Sequence, residues 1–130
     1  MPQLTLQYTA NIHQDVHFKD IFSTFHQILA DTGGIKIDNC KSRAIRLDNY
    51  YIGRGEPGNA FIHLDVRFLA GRPAALKKEI GKQMLDFLED TYAPAMTRYN
   101  LQITVEIGDI HGEFYFKFPA GSFTNQTDLK

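Results

Sequence analysis

The order in which hydrophobic periodicity changes along the chain restricts its fold more than any other feature. Leu4, Leu6 and Tyr8 alternate with polar residues, which predicts a strand with one buried face. Apolar residues then take helical spacing, and the pair Gly33-Gly34 predicts the end of that helix. A second strand is predicted at 43–47. The first third of the chain is therefore expected to form a strand, a helix and a strand.

The same order then recurs. The segment "AFIHLDVRFL" alternates as a strand, "PAALKKEIGKQMLDFLEDTYA" has helical spacing, and "LQITVEIGDI" alternates again. An offset of 58 residues aligns Leu4 with Ile62 and Phe18 with Leu76. We therefore predict two pseudo-repeats, at about 2–47 and about 60–109.

Local signals predict how these elements begin, end and connect. Asp15 is a candidate N-cap for the first helix, and Pro73 fits the first position of the second helix. The glycines and proline of "YYIGRGEPGN" predict a hairpin or a wide turn between the two halves.

These elements predict an α/β (α+β) fold. A right-handed crossover joins each pair of parallel strands, so two βαβ units form a four-stranded mixed sheet with both helices on one face. The 130 residues fit a single domain, 1–130, with a C-terminal aromatic tail at 110–130. Because no third helix is predicted to cover the other sheet face, we expect self-association, with the tail reaching a neighbouring copy.

Composition excludes several classes of function. The net charge of −1 gives no field that would attract nucleic acid, so no nucleic-acid partner is expected. Cys40 is the single cysteine, which excludes an intrachain disulfide and a CxxC metal knuckle and suggests a reducing compartment. With neither a run of eighteen apolar residues nor a secretory signal, we expect a cytoplasmic protein without a membrane contact.

Pro2 is the first candidate for chemistry. A proline is tolerated at the start of a strand, where its missing N–H costs least. Removal of Met1 would instead expose a secondary amine that could act as a base. Both interpretations fit the first eight residues.

Basic residues form the second group of candidates. Arg72 lies just before the predicted second helix, where the helix end repels a cation unless an anion lies between them, although an arginine here could also extend into solvent. Lys41 and Arg43 share one face of the predicted second strand, and Arg46 points to the other. If Pro2 begins the neighbouring parallel strand, a carboxylate substrate could bridge it to Lys41 or Arg43.

Other chemistries have little support. The five histidines form no HxxxH or HxH pair, so we expect no metal site. No serine has a GxSxG context, and nothing supports Cys40 as a nucleophile.

The chain resembles the tautomerase superfamily, and within it the 5-carboxymethyl-2-hydroxymuconate delta-isomerase family. The resemblance covers nearly the whole chain and depends on Pro2, "SR" at Ser42-Arg43, the strand and turn "FIHLDVRFLAGR", and the helix ending in "LEDTYAPAM". Its strongest elements are Pro2 and Arg72 at their mutual spacing.

The resemblance implies an amino-terminal proline, a homotrimer with sites near subunit boundaries, and no cofactor. Pro2 would transfer the proton, and Arg72 would bind or polarise an acidic substrate. Lys41 and Arg43 would bind substrate carboxylates, although Lys41 stands where arginine is expected and lacks its planar two-pronged contact.

The implied reaction moves a double bond in a 2-hydroxymuconate-type dienoate to give the 2-oxo isomer. The substrate would be a small dicarboxylic or tricarboxylic acid. Two alternatives stay open: a tautomerase for another 2-oxo or enol acid, and a non-catalytic trimeric interaction module with the same fold.

Overall fold

Two strand–helix–strand units build the described part of the chain, residues 1–119 of a computed structural model. The first unit contains β1 (Gln3–Thr9), α1 (Phe18–Gly33) and β2 (Lys41–Leu47). The second contains β3 (Asn59–Leu69), α2 (Ala74–Thr91), the short α3 (Ala93–Met96) and β4 (Asn100–Ile110). Single 3-10 turns lie at Ile37–Asn39 and Gly112–Phe114. Positions 120–130 of the predicted aromatic tail lie outside the described residues.

The four strands form one mixed sheet in the order β2-β1-β3-β4. Strands β1 and β2 are parallel, as are β3 and β4, whereas β1 and β3 are antiparallel. This is the predicted fold class and arrangement of βαβ units. The pseudo-repeat boundaries and the single domain stay predictions.

The hydrophobic core lies between the two long helices and one face of the sheet. Leu4 and Leu6 of β1 and Leu64 of β3 are fully buried there. The helices contribute one buried residue per turn: Ile21, Phe25 and Leu29 from α1, and Ile80, Met84 and Leu88 from α2. All six follow the helical spacing of apolar residues in the sequence.

The opposite sheet face has no helix over it within residues 1–119, and its side chains are mostly polar. We call it the open face. The strand registers place these polar residues on it: Gln3, Thr5, Gln7, Lys41, Arg43, His63, Asp65, Arg67, Gln102, Thr104 and Glu106.

Two local predictions need correction, and the structure decides between the alternatives of a third. Strand β2 begins at Lys41 rather than at 43, because the Lys41 N–H donates to the Pro2 carbonyl at 3.1 Å. Of the hairpin and the wide turn predicted before β3, the connection is the wide turn, because β1 lies between β2 and β3. Pro73 is the N-cap of α2 with an extended ψ of 150°, so the helix begins one residue later than predicted.

Asp15 is also not the N-cap of α1. That position belongs to His17, which has extended backbone angles and makes no side-chain cap. The Gln14 side chain holds the preceding segment against the second unit: its Nε2 donates to the Thr91 carbonyl at 2.7 Å, and its Oε1 accepts from the Ala95 N–H at 3.0 Å. These contacts delay the start of the helix until Phe18.

The end of α1 follows the sequence prediction. Gly34 has a left-handed φ of 65°, and its N–H bonds to the Ala30 carbonyl. This 5→1 bond is that of an αL cap, and the next N–H, from Ile35, bonds to the Leu29 carbonyl at 3.2 Å.

No helix among the described residues is long and apolar enough to cross a membrane. The cytoplasmic location stays a prediction.

Phe25→Ala tests the contact between the two helices. The Phe25 ring is fully buried and meets the edge of Phe87 at 5.8 Å between centroids. We expect its truncation to lower the free energy of unfolding by about 3–5 kcal/mol, measured by urea denaturation. Ser23→Ala, at an exposed position of the same helix, is the control and should change it by less than about 0.5 kcal/mol. Equal effects of the two changes would contradict this description of the core.

Candidate functional site

The start of β1 and the end of β3 meet at one end of the sheet, because these strands are antiparallel. Gln3 pairs with Arg67, so continuing this register by one residue places Pro2 beside Phe68. The start of β2 joins them because Gln3 also pairs with Lys41. All four residues named as candidates from the sequence therefore belong to this end of the molecule, which we call the proline end: Pro2, Lys41, Arg43 and Arg72.

Pro2 is buried at the proline end, and the side chain of Met1 before it is only 4% exposed. Pro2 lies in the alternation that buries Leu4 and Leu6, so it belongs to the helix-covered side of the sheet. Its carbonyl accepts the Lys41 N–H. With Met1 attached, the Pro2 nitrogen is an amide, and only loss of Met1 turns it into a basic amine.

Arg72 lies on the same side of the sheet as Pro2. Its guanidinium lies over the buried ring of Phe68, 5.3 Å from the centroid, and donates to the Leu69 carbonyl at 3.3 Å. Desolvation by burial lowers the pKa of Arg72. The side chain therefore folds back onto β3 and does not extend into solvent.

The N-terminus of α2 begins two residues after Arg72. No side chain caps it: Pro73 occupies the N-cap position and has no side-chain hydrogen-bonding group. The first turn contains no acidic residue either. A cation and the positive end of a helix thus lie close together in the chain, a combination that suits an anionic ligand.

Lys41 and Arg43 lie at the proline end but on the open face, because their register partners are Gln3 and Thr5. Both are exposed. The Arg43 Nη1 donates to the Gln3 Oε1 at 2.6 Å. The predicted shared face of Lys41 and Arg43 is confirmed, and so is the opposite orientation of Arg46, whose register partner is Tyr8. The structure therefore brings the four candidates to one end but divides them between the two sides of the sheet.

Gln3 is a residue that sequence reasoning missed. Its side-chain amide accepts from Arg43 and donates from Nε2 to the Tyr115 hydroxyl at 2.9 Å. One side chain thus connects β2 to the segment after β4. Neighbouring positions in the sequence could not have indicated this link, because Gln3 and Tyr115 are 112 residues apart.

The three aromatic residues Phe114, Tyr115 and Phe116 after β4 differ in exposure. Phe114 and Phe116 are 72% and 88% exposed, so neither belongs to the core of residues 1–119. Tyr115 is the half-buried one between them. Within the described chain, Tyr115 is the one of these three residues that bonds to the proline end, through Gln3.

The pKa of Cys40, just before β2, is shifted by its surroundings. Burial raises the pKa of its thiol to about 11, against the opposing influence of the amino terminus and of Lys41. The thiol is therefore protonated near neutral pH, which agrees with the absence of sequence support for a nucleophilic role. The two opposing influences also show that positive charge lies close to this partly desolvated position.

Known proteins resemble the chain over most of its length. A family model described as 5-carboxymethyl-2-hydroxymuconate isomerase matches residues 2–120. The 5-carboxymethyl-2-hydroxymuconate Delta-isomerase of Escherichia coli is 23% identical over 117 residues, which are 90% of this chain and 93% of that protein. The crystal structure of a 5-carboxymethyl-2-hydroxymuconate isomerase from Deinococcus radiodurans R1 has a TM-score of 0.81 at 29% identity, covering 89% of this chain and 87% of that one.

A more distant structure shares the fold alone. It is described as "Q0 fused 4-OT wild type symmetric trimer", with a TM-score of 0.68 at 14% identity over 90% of this chain and 92% of that one. The same architecture is thus found in a symmetric trimer.

The pKa of Cys40 leads to a test of burial at the proline end. Because its pKa is raised from 9.0 to about 11, the thiolate fraction at pH 8 is smaller in the folded than in the unfolded chain. We expect iodoacetamide to alkylate the folded protein at least about tenfold more slowly than the urea-unfolded protein at that pH. Mass spectrometry over a time course measures both rates. Equal rates would show that Cys40 is exposed and that this end of the sheet is open.

Proposed function

The chain belongs to the 5-carboxymethyl-2-hydroxymuconate isomerase family, and from that membership we propose that it moves a double bond within a 2-hydroxymuconate-type dienoic acid to give the 2-oxo isomer. As a member of this family it is an isomerase. The substrate we assign is 5-carboxymethyl-2-hydroxymuconate, an acid with several carboxylates. The observation that carries the proposal is the meeting of buried Pro2 with Arg72, Lys41 and Arg43 at the proline end.

The reaction asks for one group that removes a proton and later returns it. Removal of the first proton leaves a dienolate whose negative charge is spread along the conjugated chain. Protonation of a carbon farther along that chain gives the 2-oxo isomer, so atoms and charge balance without a redox step. In our proposal the Pro2 amine, exposed by removal of Met1, is both the base and the acid.

The surroundings of Pro2 favour its neutral form. Burial disfavours the charged ammonium, and nearby positive charge disfavours it further, so we expect a pKa below that of an exposed secondary amine. Pro2 is buried, and the Arg72 guanidinium lies on the same side of the sheet, over the Phe68 ring. A neutral amine near pH 7 can accept the substrate proton.

Arg72 is the group we assign to the developing negative charge. Its guanidinium is held over Phe68 and beside the uncapped start of α2, so little reorganisation is needed when the dienolate forms. The lowered pKa of Arg72 reflects a partly desolvated position, where its interaction with an anion is stronger than in water.

Lys41 and Arg43 are assigned to the substrate carboxylates. Their place on the open face separates them from Pro2 and Arg72, which suits a ligand that extends around the end of the sheet. Arg43 is oriented by Gln3, whereas Lys41 supplies charge without a planar fork. No cofactor is needed in this mechanism.

We further propose that the working enzyme is a homotrimer. The open face and the exposed side chains of Phe114 and Phe116 are surfaces that a second copy would cover. The symmetric trimer with the same fold supports this assembly.

A tautomerase for another 2-oxo or enol acid is the enzymatic alternative. Steady-state rates on a panel of such acids distinguish it, since our assignment requires the highest kcat/KM for the 5-carboxymethyl substrate. A non-catalytic module would show no turnover on any of them.

Pro2→Ala tests the proton-transfer role. The variant still exposes an amine after loss of Met1, but a primary one without the ring, and we expect kcat to fall by about 10²-fold or more. Ultraviolet absorbance follows the conjugated substrate, and intact mass establishes that Met1 is removed in both proteins. Pro94→Ala, at an exposed proline of α3, is the matched control and should keep the parental rate. Near-normal turnover in folded Pro2→Ala, or full activity in protein that retains Met1, would overturn the assignment.

Arg72→Ala tests charge stabilisation. We expect kcat/KM to fall by about 10²- to 10³-fold, because a donor aimed at the developing anion is lost. Arg72→Lys keeps the charge but not the planar contact with Phe68, and should recover part of the loss. Arg54→Ala, in the exposed turn before β3, is the control and should leave the rate unchanged. A change in thermal stability with no change in rate would show that Arg72 has a structural role only.

A further inference from the structure

A cluster of metal-ligating side chains lies on the open face, on the other side of the sheet from Pro2. It contains His63 and Asp65 on β3 and Glu106 on β4, whose nearest ligand atoms all lie within 4.8 Å of one another. We propose that these three residues bind a divalent transition-metal ion of the zinc type. This proposal does not depend on the isomerase mechanism.

Strand register creates the cluster. His63 and Asp65 are two residues apart in β3 and therefore share a face, and Glu106 is the neighbour of Asp65 across the parallel β3–β4 pair. Two carboxylates placed side by side repel each other and destabilise the sheet. A bound cation removes that repulsion.

The basic residues nearby do not neutralise this pair. Arg67, the next open-face residue on β3, directs its Nη2 to the Asp109 carbonyl at 3.1 Å. Arg43, beyond β1, is bound to Gln3. Asp65 forms no ion pair within residues 1–119. Among residues 1–119 of a single chain, the carboxylates thus have no fixed cation beside them other than His63, whose Nε2 lies 3.7 Å from the Glu106 Oε1 and is charged only when protonated.

The orientation of His63 fits metal binding. Its Nδ1 is hydrogen-bonded to the Thr104 Oγ1 at 2.6 Å, which fixes the ring and leaves Nε2 on the side of Glu106. Metal-binding histidines are commonly oriented in this way by a hydrogen bond to the other ring nitrogen. An imidazole with two carboxylates suits Zn²⁺ better than Mg²⁺ or Ca²⁺, which prefer oxygen ligands alone.

The distances allow an ion after a small adjustment. Zinc lies about 2.0–2.2 Å from nitrogen and oxygen ligands, so tetrahedral ligand atoms are roughly 3.4 Å apart. Glu106 is 71% exposed and can rotate to close the difference. The absence of an HxxxH or HxH pair in the sequence predicted no metal site. The proposed site instead takes one histidine and two carboxylates from two strands.

The cluster is separate from Pro2, although Arg43 lies on the same face with Thr5 of β1 between it and Asp65. Asp65 pairs with Thr5, which lies three residues from Pro2 along β1, or about 10 Å at the usual strand rise. Asp65 also belongs to the open face, whereas Pro2 belongs to the helix-covered side. A bound ion here would therefore stabilise the sheet or the assembly and would not contact the proton that Pro2 transfers.

Isothermal titration of chelator-treated full-length protein with Zn²⁺ tests the proposal. We expect saturable binding of one ion per chain and an increase in the thermal unfolding midpoint when Zn²⁺ is added. His63→Gln and Glu106→Gln should each weaken binding at least about tenfold and abolish the shift in the midpoint. Thr104→Val, which removes only the hydrogen bond that orients His63, should weaken binding less than His63→Gln does.

His111→Gln is the matched control, because it removes an exposed histidine outside the cluster. It should leave the zinc affinity unchanged, and Mg²⁺ at the same concentration should produce no shift in the midpoint. Circular dichroism establishes that each variant is folded. Absence of saturable zinc binding would overturn the proposal. So would binding that His111→Gln weakens as much as His63→Gln does, or a response to Mg²⁺ equal to the response to Zn²⁺.

Discussion

The antiparallel pairing of β1 with β3 is the contact on which the rest of the structure depends. Each βαβ unit has only two strands, and this pairing joins them into a single sheet with a continuous core beneath the two helices. It also determines which ends of the strands meet. The beginning of β1 lies beside the end of β3, and so a residue near the amino terminus and an arginine seventy positions later can serve one site.

The two faces of the sheet have different chemical roles. The helix-covered face is apolar and fixes Pro2 and Phe68 in a desolvated setting, where charge interacts strongly. The open face is polar, and it carries Lys41, Arg43 and the His63 cluster. In the function proposed above, a substrate with several carboxylates would use both environments at the proline end: the buried side for proton transfer and the polar side for holding charge.

The sequence predicted much of this arrangement, and its failures have local physical causes. Periodicity identified the strands, both long helices and the buried helical positions, because burial of one face repeats regularly along each element. It missed the start of β2, because that boundary is a single backbone hydrogen bond to Pro2. It also assigned Asp15 as a cap, because nothing near that residue in the sequence shows that Gln14 is bound to Thr91 and Ala95.

The geometry of the candidate site was not predictable from the sequence. Pro2, Lys41, Arg43 and Arg72 could be named from residue type and family resemblance, yet their division between two sheet faces required the strand register. The link through Gln3 and the cluster of His63, Asp65 and Glu106 were not accessible in this way, since each joins strands distant in sequence. Tertiary pairing is the information that a linear pattern lacks.

The buried side chain of Met1 has a practical consequence for producing this protein. If Pro2 acts as we propose, Met1 blocks the reaction centre of the newly translated chain. Activity then begins only when an aminopeptidase has removed Met1. A purification tag fused before Met1 would prevent this removal and would keep the Pro2 nitrogen as an amide. Such a preparation would lack the Pro2 amine and would be inactive as an isomerase.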